Sequence, residues 1–214
     1  EPYVLLLDEP LSAMDRATSS RIQIELKRIH TELGVTIIHI THDVTEAFFL
    51  ADRLAVMKDG QILQEGPPDE VCRRPRSHSV AELMGIENLI AATVEDGRLV
   101  TALGDFDLPQ LAAGGDELPK RLCLTLPGWS VELFPARQPQ YYLWQGSLRI
   151  SEAHQMNGTG MLALILVHDG GEILKTYLSL REAQALAASI GVGLSVPVGL
   201  LGQGAHWVPQ EESP

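Results

Sequence analysis

The run Tyr3-Val4-Leu5-Leu6-Leu7 passes directly into Asp8-Glu9-Pro10, and no other stretch limits the choice of fold as tightly. Five consecutive apolar residues predict a strand buried on both faces, as in a parallel sheet covered by helices. Asp8 and Glu9 then stand at its carboxyl end, the edge at which open α/β sheets bind ligands. Adjacent acids at such an edge cost desolvation unless a metal, a water or a substrate uses them. Neighbouring side chains at a strand end point different ways, so the two carboxylates divide their work: one can hold Mg²⁺ through its water shell while the other polarises a water.

The chain continues with Ser12-Ala13-Met14-Asp15, a helix expected from about Asp15 to Leu33, and a second apolar strand, Val35-Thr36-Ile37-Ile38-His39-Ile40, that ends in Thr41-His42-Asp43. This order and spacing resemble the second half of an ATP-binding cassette (ABC) ATPase. Leu5-Leu6-Leu7-Asp8-Glu9-Pro10 resembles its Walker B strand, Ser12-Ala13-Met14-Asp15 its D-loop, and Thr41-His42-Asp43 its switch-histidine loop.

The resemblance implies roles for these positions. Asp8 would hold the Mg²⁺ on the β- and γ-phosphates of ATP, Glu9 would orient and activate the attacking water, and His42 would contact the γ-phosphate. Ser12 and Asp15 would cross to the second ATPase subunit of a homodimer that sandwiches two nucleotides. Asp15 is equally placed to be the N-cap of the following helix, and the two roles are compatible. His39, inside the strand, reads as a packed residue and not a ligand. Ile22, Leu26, Ile29 and Leu33 recur at helical spacing and predict a core-facing stripe, and Phe48, Phe49 and Leu50 predict packing as well.

Arg53–Lys58 and Gln61–Glu65 flank Asp59-Gly60, a dipeptide suited to a two-residue hairpin turn, and Gly66-Pro67-Pro68 then stops the sheet and starts a helix. Three arginines around Pro75 read as a solvated helix end. The passage Pro75…Val80-Ala81…Gly85…Asn88 resembles the junction between the ATPase domain and the accessory domain of importer-type ABC subunits. The expected organisation is an α/β P-loop NTPase fragment over 1–86, followed over 87–214 by a mainly β, OB-like barrel domain with one helix at Ser179 to Ile190. The stretch Gly191–Val198 leans towards the molybdate/tungstate type, although Leu126-Pro127-Gly128-Trp129 stands where Arg-Pro-Glu is usual.

Composition agrees with a folded chain: 214 residues, 45% hydrophobic and 21% charged. Net charge is −12, with nine basic against fourteen acidic residues up to Ile86 and seven against fourteen after it. Neither part offers the basic surface that nucleic-acid binding needs. No apolar run approaches the roughly 20 residues of a membrane-spanning helix. Cys72 and Cys123 have no metal-ligand spacing and read as unpaired thiols.

No Gly-x-x-x-x-Gly-Lys-Ser/Thr loop, Gln-loop or Leu-Ser-Gly-Gly-Gln signature occurs in the sequence. The chain therefore reads as the C-terminal part of a longer subunit, expected by itself neither to bind MgATP tightly nor to turn it over. The resemblance implies the ATP-hydrolysing subunit of a bacterial importer, peripheral on the cytoplasmic face of the inner membrane. It would act beneath membrane-spanning permease subunits and, indirectly, with a periplasmic or lipoprotein solute-binding protein. A different class of function is a non-catalytic fragment whose β domain serves as a regulatory or dimerisation module that binds a small ligand.

Overall fold

The computed structural model describes residues 4–96, 98–107, 119–203 and 205–210, so Tyr3, which opens the apolar run, lies outside the described residues. The chain divides into two compact units, 1–74 and 75–214.

The first unit begins with β1 (Val4–Asp8), α1 (Arg16–Leu33), β2 (Thr36–Ile40) and α2 (Val44–Leu50). β1 and β2 pair in parallel, Val4 opposite Thr36 through Asp8 opposite Ile40, and the 18-residue α1 supplies the crossover that a parallel pair requires. The ends of α1 follow from sequence. Asp15 Oδ1 accepts the amides of Ala17 and Thr18 at 3.0 Å each, and Oδ2 accepts the Thr18 hydroxyl at 2.7 Å. Gly34 closes the helix in the left-handed region, φ +63°, with its N–H donated to His30 O. Lys27 Nζ donates to Leu50 O at 3.0 Å and His30 Nε2 meets Asp52 at 3.0 Å, tying α1 to the end of α2.

β3 (Leu54–Lys58) and β4 (Gln61–Gly66) form the expected hairpin. Asp59 (φ +51°) and Gly60 (φ +78°) both take positive φ, the two-residue turn whose twist matches paired strands. α3 (Pro68–Arg73) starts on Pro68, whose fixed φ suits a first helical turn.

Burial corrects three expectations in this unit. β1 and β2 are not covered on both faces: Val4, Leu6, Ile38 and Ile40, which share one face through the parallel register, are 52, 65, 51 and 49% exposed. Only Leu5, Leu7, Ile37 and His39 on the other face are half-buried. On α1 the stripe is half-buried at Ile22, Leu26 and Ile29, but Leu33, in the last turn, is exposed; Phe49 on α2 is exposed as well.

The second unit opens with α4 (His78–Leu83), capped by Ser77 and lying against the strand that follows below as β8. Val80, Ala81 and Met84 are buried; α4 falls in the second unit, whereas the division expected after residue 86 lies beyond it. The mainly β character expected from residue 87 is present as two five-stranded antiparallel sheets. The strands are β5 (Asn88–Glu95), β6 (Arg98–Thr101), β7 (Gly104–Asp107), β8 (Arg121–Leu126), β9 (Val131–Leu133), β10 (Tyr142–Met156), β11 (Met161–Val167), β12 (Ile173–Ser179), β13 (Ser195–Leu201) and β14 (His206–Pro209). One sheet has the order β14-β8-β5-β6-β7 and the other β12-β11-β10-β13-β9. Two strands thus leave their neighbours in sequence: β9 pairs with β13, and the last strand, β14, returns to β8.

Inward-facing residues of both sheets build one apolar cluster that includes Ile90, Leu99, Leu124, Leu148, Ile150, Leu164, Leu174 and Leu200. Asn88, fully buried, joins the sheets by accepting Lys175 N–H at 2.5 Å and donating to Lys175 O at 3.0 Å. The Pro127-Gly128 step has a packing cause, since a Cβ at Gly128 would stand 2.7 Å from the Tyr177 ring. The expected helix at Ser179 to Ile190 is shorter: α5 runs Leu180–Ala185 with Ser179 as N-cap in a capping box with Glu182. Beyond it the chain continues only in turns, Ala187 N–H reaching Gln184 O at 3.4 Å.

Candidate functional site

The parallel register of β1 and β2 brings the two motif-bearing strand ends side by side. Asp8 is the last residue of β1 and lies opposite Ile40, the last of β2. Glu9 N–H extends the ladder by donating to Ile40 O at 2.9 Å. Its φ of +47° puts a non-glycine residue in the left-handed region, which is uncommon and is concentrated at sites held by their surroundings. There β1 stops, and the Glu9 carboxylate reaches across to the loop after β2: Glu9 Oε1 and His42 Nδ1 are 2.8 Å apart.

His42 is 78% exposed and Glu9 36%, so water and a ligand can reach both. The His42 pKa is raised above the ordinary imidazole value, first by the hydrogen bond to Glu9 and then by its charge, with Asp43 and Glu46 adding and dehydration opposing. The loop is held by its own polar groups. Asp43 caps α2 by accepting Thr45 N–H at 2.8 Å and Glu46 N–H at 3.1 Å, and Thr41 Oγ1 accepts Asp43 N–H at 3.0 Å.

Ser12 Oγ donates to Glu9 O at 3.0 Å, which folds the segment after β1 back on the strand end. Leu11 beneath it is buried. Asp15 is occupied as the N-cap of α1, and its carboxylate is held below the usual range first by the Thr18 hydroxyl and then by the backbone amides it accepts. Glu9, His42 and, through the backbone, Ser12 are thus brought together, while Asp15 acts at the helix start. His39 sits in β2 with its side chain about 10% exposed and bonded to Glu46, a packed residue as expected. Glu46 was not singled out from the sequence.

Among the described residues no cluster of three His, Cys, Asp or Glu side chains forms a metal cage. A Mg²⁺ ion keeps several waters and takes only one or two protein carboxylates. Asp8, exposed at the strand end, is a donor of that kind. No helix among the described residues is long and apolar enough to cross a membrane.

Comparison with known proteins places this geometry in a context. No family model matches the chain. The Fe(3+) ions import ATP-binding protein FbpC of Streptomyces avermitilis is 35% identical over 196 residues, covering 91% of this chain and 53% of that protein. The spermidine/putrescine import ATP-binding protein PotA of Pseudomonas fluorescens is 35% identical over 199 residues, 90% of this chain and 52% of that protein. The sn-glycerol-3-phosphate import ATP-binding protein UgpC of Vibrio vulnificus is 42% identical over 111 residues, 51% of this chain and 30% of that one. Among solved structures, the cytoplasmic molybdate-binding protein ModG covers 58% of this chain at 13% identity with a TM-score of 0.46, too low to carry a fold assignment. By sequence the chain is a relative of the ATP-binding subunits of ABC importers, and it spans about half the length of the curated relatives it matches most fully.

Proposed function

We propose that residues 1–86 carry the hydrolytic edge of an ABC importer ATPase, a P-loop NTPase core in which ATP is the substrate and Mg²⁺ its partner ion. The observation that carries this reading is the 2.8 Å approach of Glu9 and His42 from the ends of two register-matched strands. Asp8 would hold the ion, whose chemistry is to neutralise charge on the phosphates. Glu9 takes a proton from the attacking water or orients it, and is suited to this because its second oxygen is free of the His42 bond. The Glu9 hydrogen bond and charge favour the protonated form of His42, and in that form its Nε2–H would be offered to a phosphate oxygen.

Ser12 and Asp15 would form the segment that meets the second subunit of a homodimer. Membrane-spanning permease subunits and a solute-binding protein complete the proposed assembly, with the chain on the cytoplasmic face of the membrane and the β unit as an OB-like accessory domain. A molybdate/tungstate-type cargo rests only on the pattern at Gly191–Val198. The curated relatives carry iron, polyamine and glycerol-phosphate names, so cargo selection is assigned to other subunits.

The test is made in the intact subunit. Glu9→Gln keeps shape but removes the base, and turnover should fall by roughly 10²–10⁴-fold, the usual worth of a positioned general base. Nucleotide-dependent dimerisation should persist, and His42→Ala should be severely impaired. Unchanged ATPase activity in both variants would refute the assignment. Calorimetry on the 214-residue chain alone should detect no micromolar MgATP binding, for want of a phosphate loop.

A further inference from the structure

Glu46 is the one buried carboxylate among the described residues, 6% exposed in the first turn of α2. A charge so placed is retained only where its oxygens are satisfied, and here they are used separately. Glu46 Oε1 is hydrogen-bonded to His39 Nε2, and Oε2 accepts the Thr41 hydroxyl at 3.2 Å. His39 and Thr41 are two residues apart, which puts both side chains on the same side at the end of β2. Since Asp43 N–H is taken up by Thr41 Oγ1, Glu46 does not make the return bond of a capping box and is released for this bridge. His39 Nδ1 is buried without a partner, so its imidazole is held from the Glu46 edge alone.

His42 lies between the residues of this bridge. Its own side chain is 78% exposed and has no packing to orient it. The groups that fix its backbone are Thr41 on one side and Asp43 on the other, and both lead back to Glu46. We infer that Glu46 is the positioning residue for His42: its carboxylate spans β2 and α2 and sets the loop from which His42 reaches Glu9. Its meaning for catalysis rests on the hydrolytic role proposed above, but the geometry can be tested with no nucleotide present.

The experiment records long-range ¹H–¹⁵N spectra of the histidine rings of the 214-residue chain at one fixed pH. Glu9→Gln gives the position of a His42 Nδ1 that lacks its carboxylate partner. His30, bonded to Val35 O and Asp52 in the same unit, reports whether that unit stays folded. In Glu46→Ala the His42 Nδ1 signal should move most of the way to the Glu9→Gln position while His30 is unchanged. Glu46→Gln should restore the wild-type signal, since its amide can accept from His39 through oxygen and donate to Thr41 through nitrogen.

An unmoved His42 signal in Glu46→Ala, with His30 intact, overturns the inference. If Glu46→Ala loses the His30 signal as well, Thr41→Val decides: it removes only the hydroxyl and should displace His42 in the same direction, and no displacement overturns the inference. Loss of the His30 signal in both variants makes Glu46 a merely structural group, which also overturns it. Unaltered turnover in Glu9→Gln would dismiss the catalytic role and leave this positioning result standing.

Discussion

The two units use the same kinds of apolar residue to different ends. In the second, two sheets face each other, and residues such as Ile150, Leu164 and Leu174 are wholly buried. In the first, only Leu11, Val56 and Val71 are buried hydrophobics among the described residues, and the strand pair that carries the chemistry shows Leu6 and Ile38 to solvent. A strand's hydrophobicity records what it can bury against, and burial itself needs a second layer. The first unit relies instead on caps and polar ties: Asp15 on α1, Lys27 and His30 to the end of α2, and Glu46 between β2 and α2.

The largest expected effect tests that contrast directly. Leu164→Ala opens a cavity between two sheets and should destabilise the second unit by about 2–5 kcal/mol. Leu6→Ala, at a side chain 65% exposed, should stay within about 0.5 kcal/mol. All three tryptophans, Trp129, Trp144 and Trp207, lie in the second unit, so fluorescence-monitored urea unfolding reads it separately. Hydrogen exchange of β1 and β2 amides reads the first. Equal costs for the two substitutions would break the comparison, because Leu6 would then have to be packed in solution.

What the sequence made legible follows the range of the forces involved. Local signals were read well: Asp15 caps α1 as expected because capping is decided within four residues, and Asp59-Gly60 closes its hairpin because turn geometry is local. The approach of Glu9 to His42 was implied by the resemblance to ABC ATPases, which puts both residues at one site. Strand partnership in the second unit was not legible, since nothing in Val131–Leu133 or His206–Pro209 says that each leaves its neighbours in sequence to pair with the other sheet. Face exposure was missed for the same reason: Val4, Leu6, Ile38 and Ile40 look like core until the layer over them is sought. Glu46 was not legible because its partners, His39 and Thr41, belong to the preceding strand end and are met only once α2 lies against it.

The cysteines sharpen the comparison at smaller scale, one in each unit. Cys123, on β8, is 1% exposed, and burial, with the Glu172 charge adding, pushes its thiol up to about 12. Cys72, on α3, is half-buried. Since the thiolate is the reacting form, alkylation at pH 8 should label Cys72 on the order of a hundredfold faster or more than Cys123. Mass spectrometry of the labelled peptides measures both rates. Leu164→Ala should raise the Cys123 rate and leave that of Cys72 unchanged, whereas a common rise would mean that the units unfold together.

The smallest effect belongs to the exposed pair at the strand ends. Glu9 raises the His42 pKa in the folded chain, so the folded state binds the proton more tightly than the unfolded one. The stabilisation is fully present below the unfolded imidazole value of about 6.5 and is lost as pH rises through the higher folded value. It is small because the pair is solvated and screened by salt. Following β1 and β2 exchange between pH 5.5 and 8.5 at low salt should therefore reveal a slight loss of protection towards alkaline pH. The loss should vanish in Glu9→Gln and shrink in 0.5 M NaCl, while Trp fluorescence of the second unit shows no matching change. A dependence that survives Glu9→Gln would mean that some other group, and not the Glu9–His42 pair, couples this edge to pH.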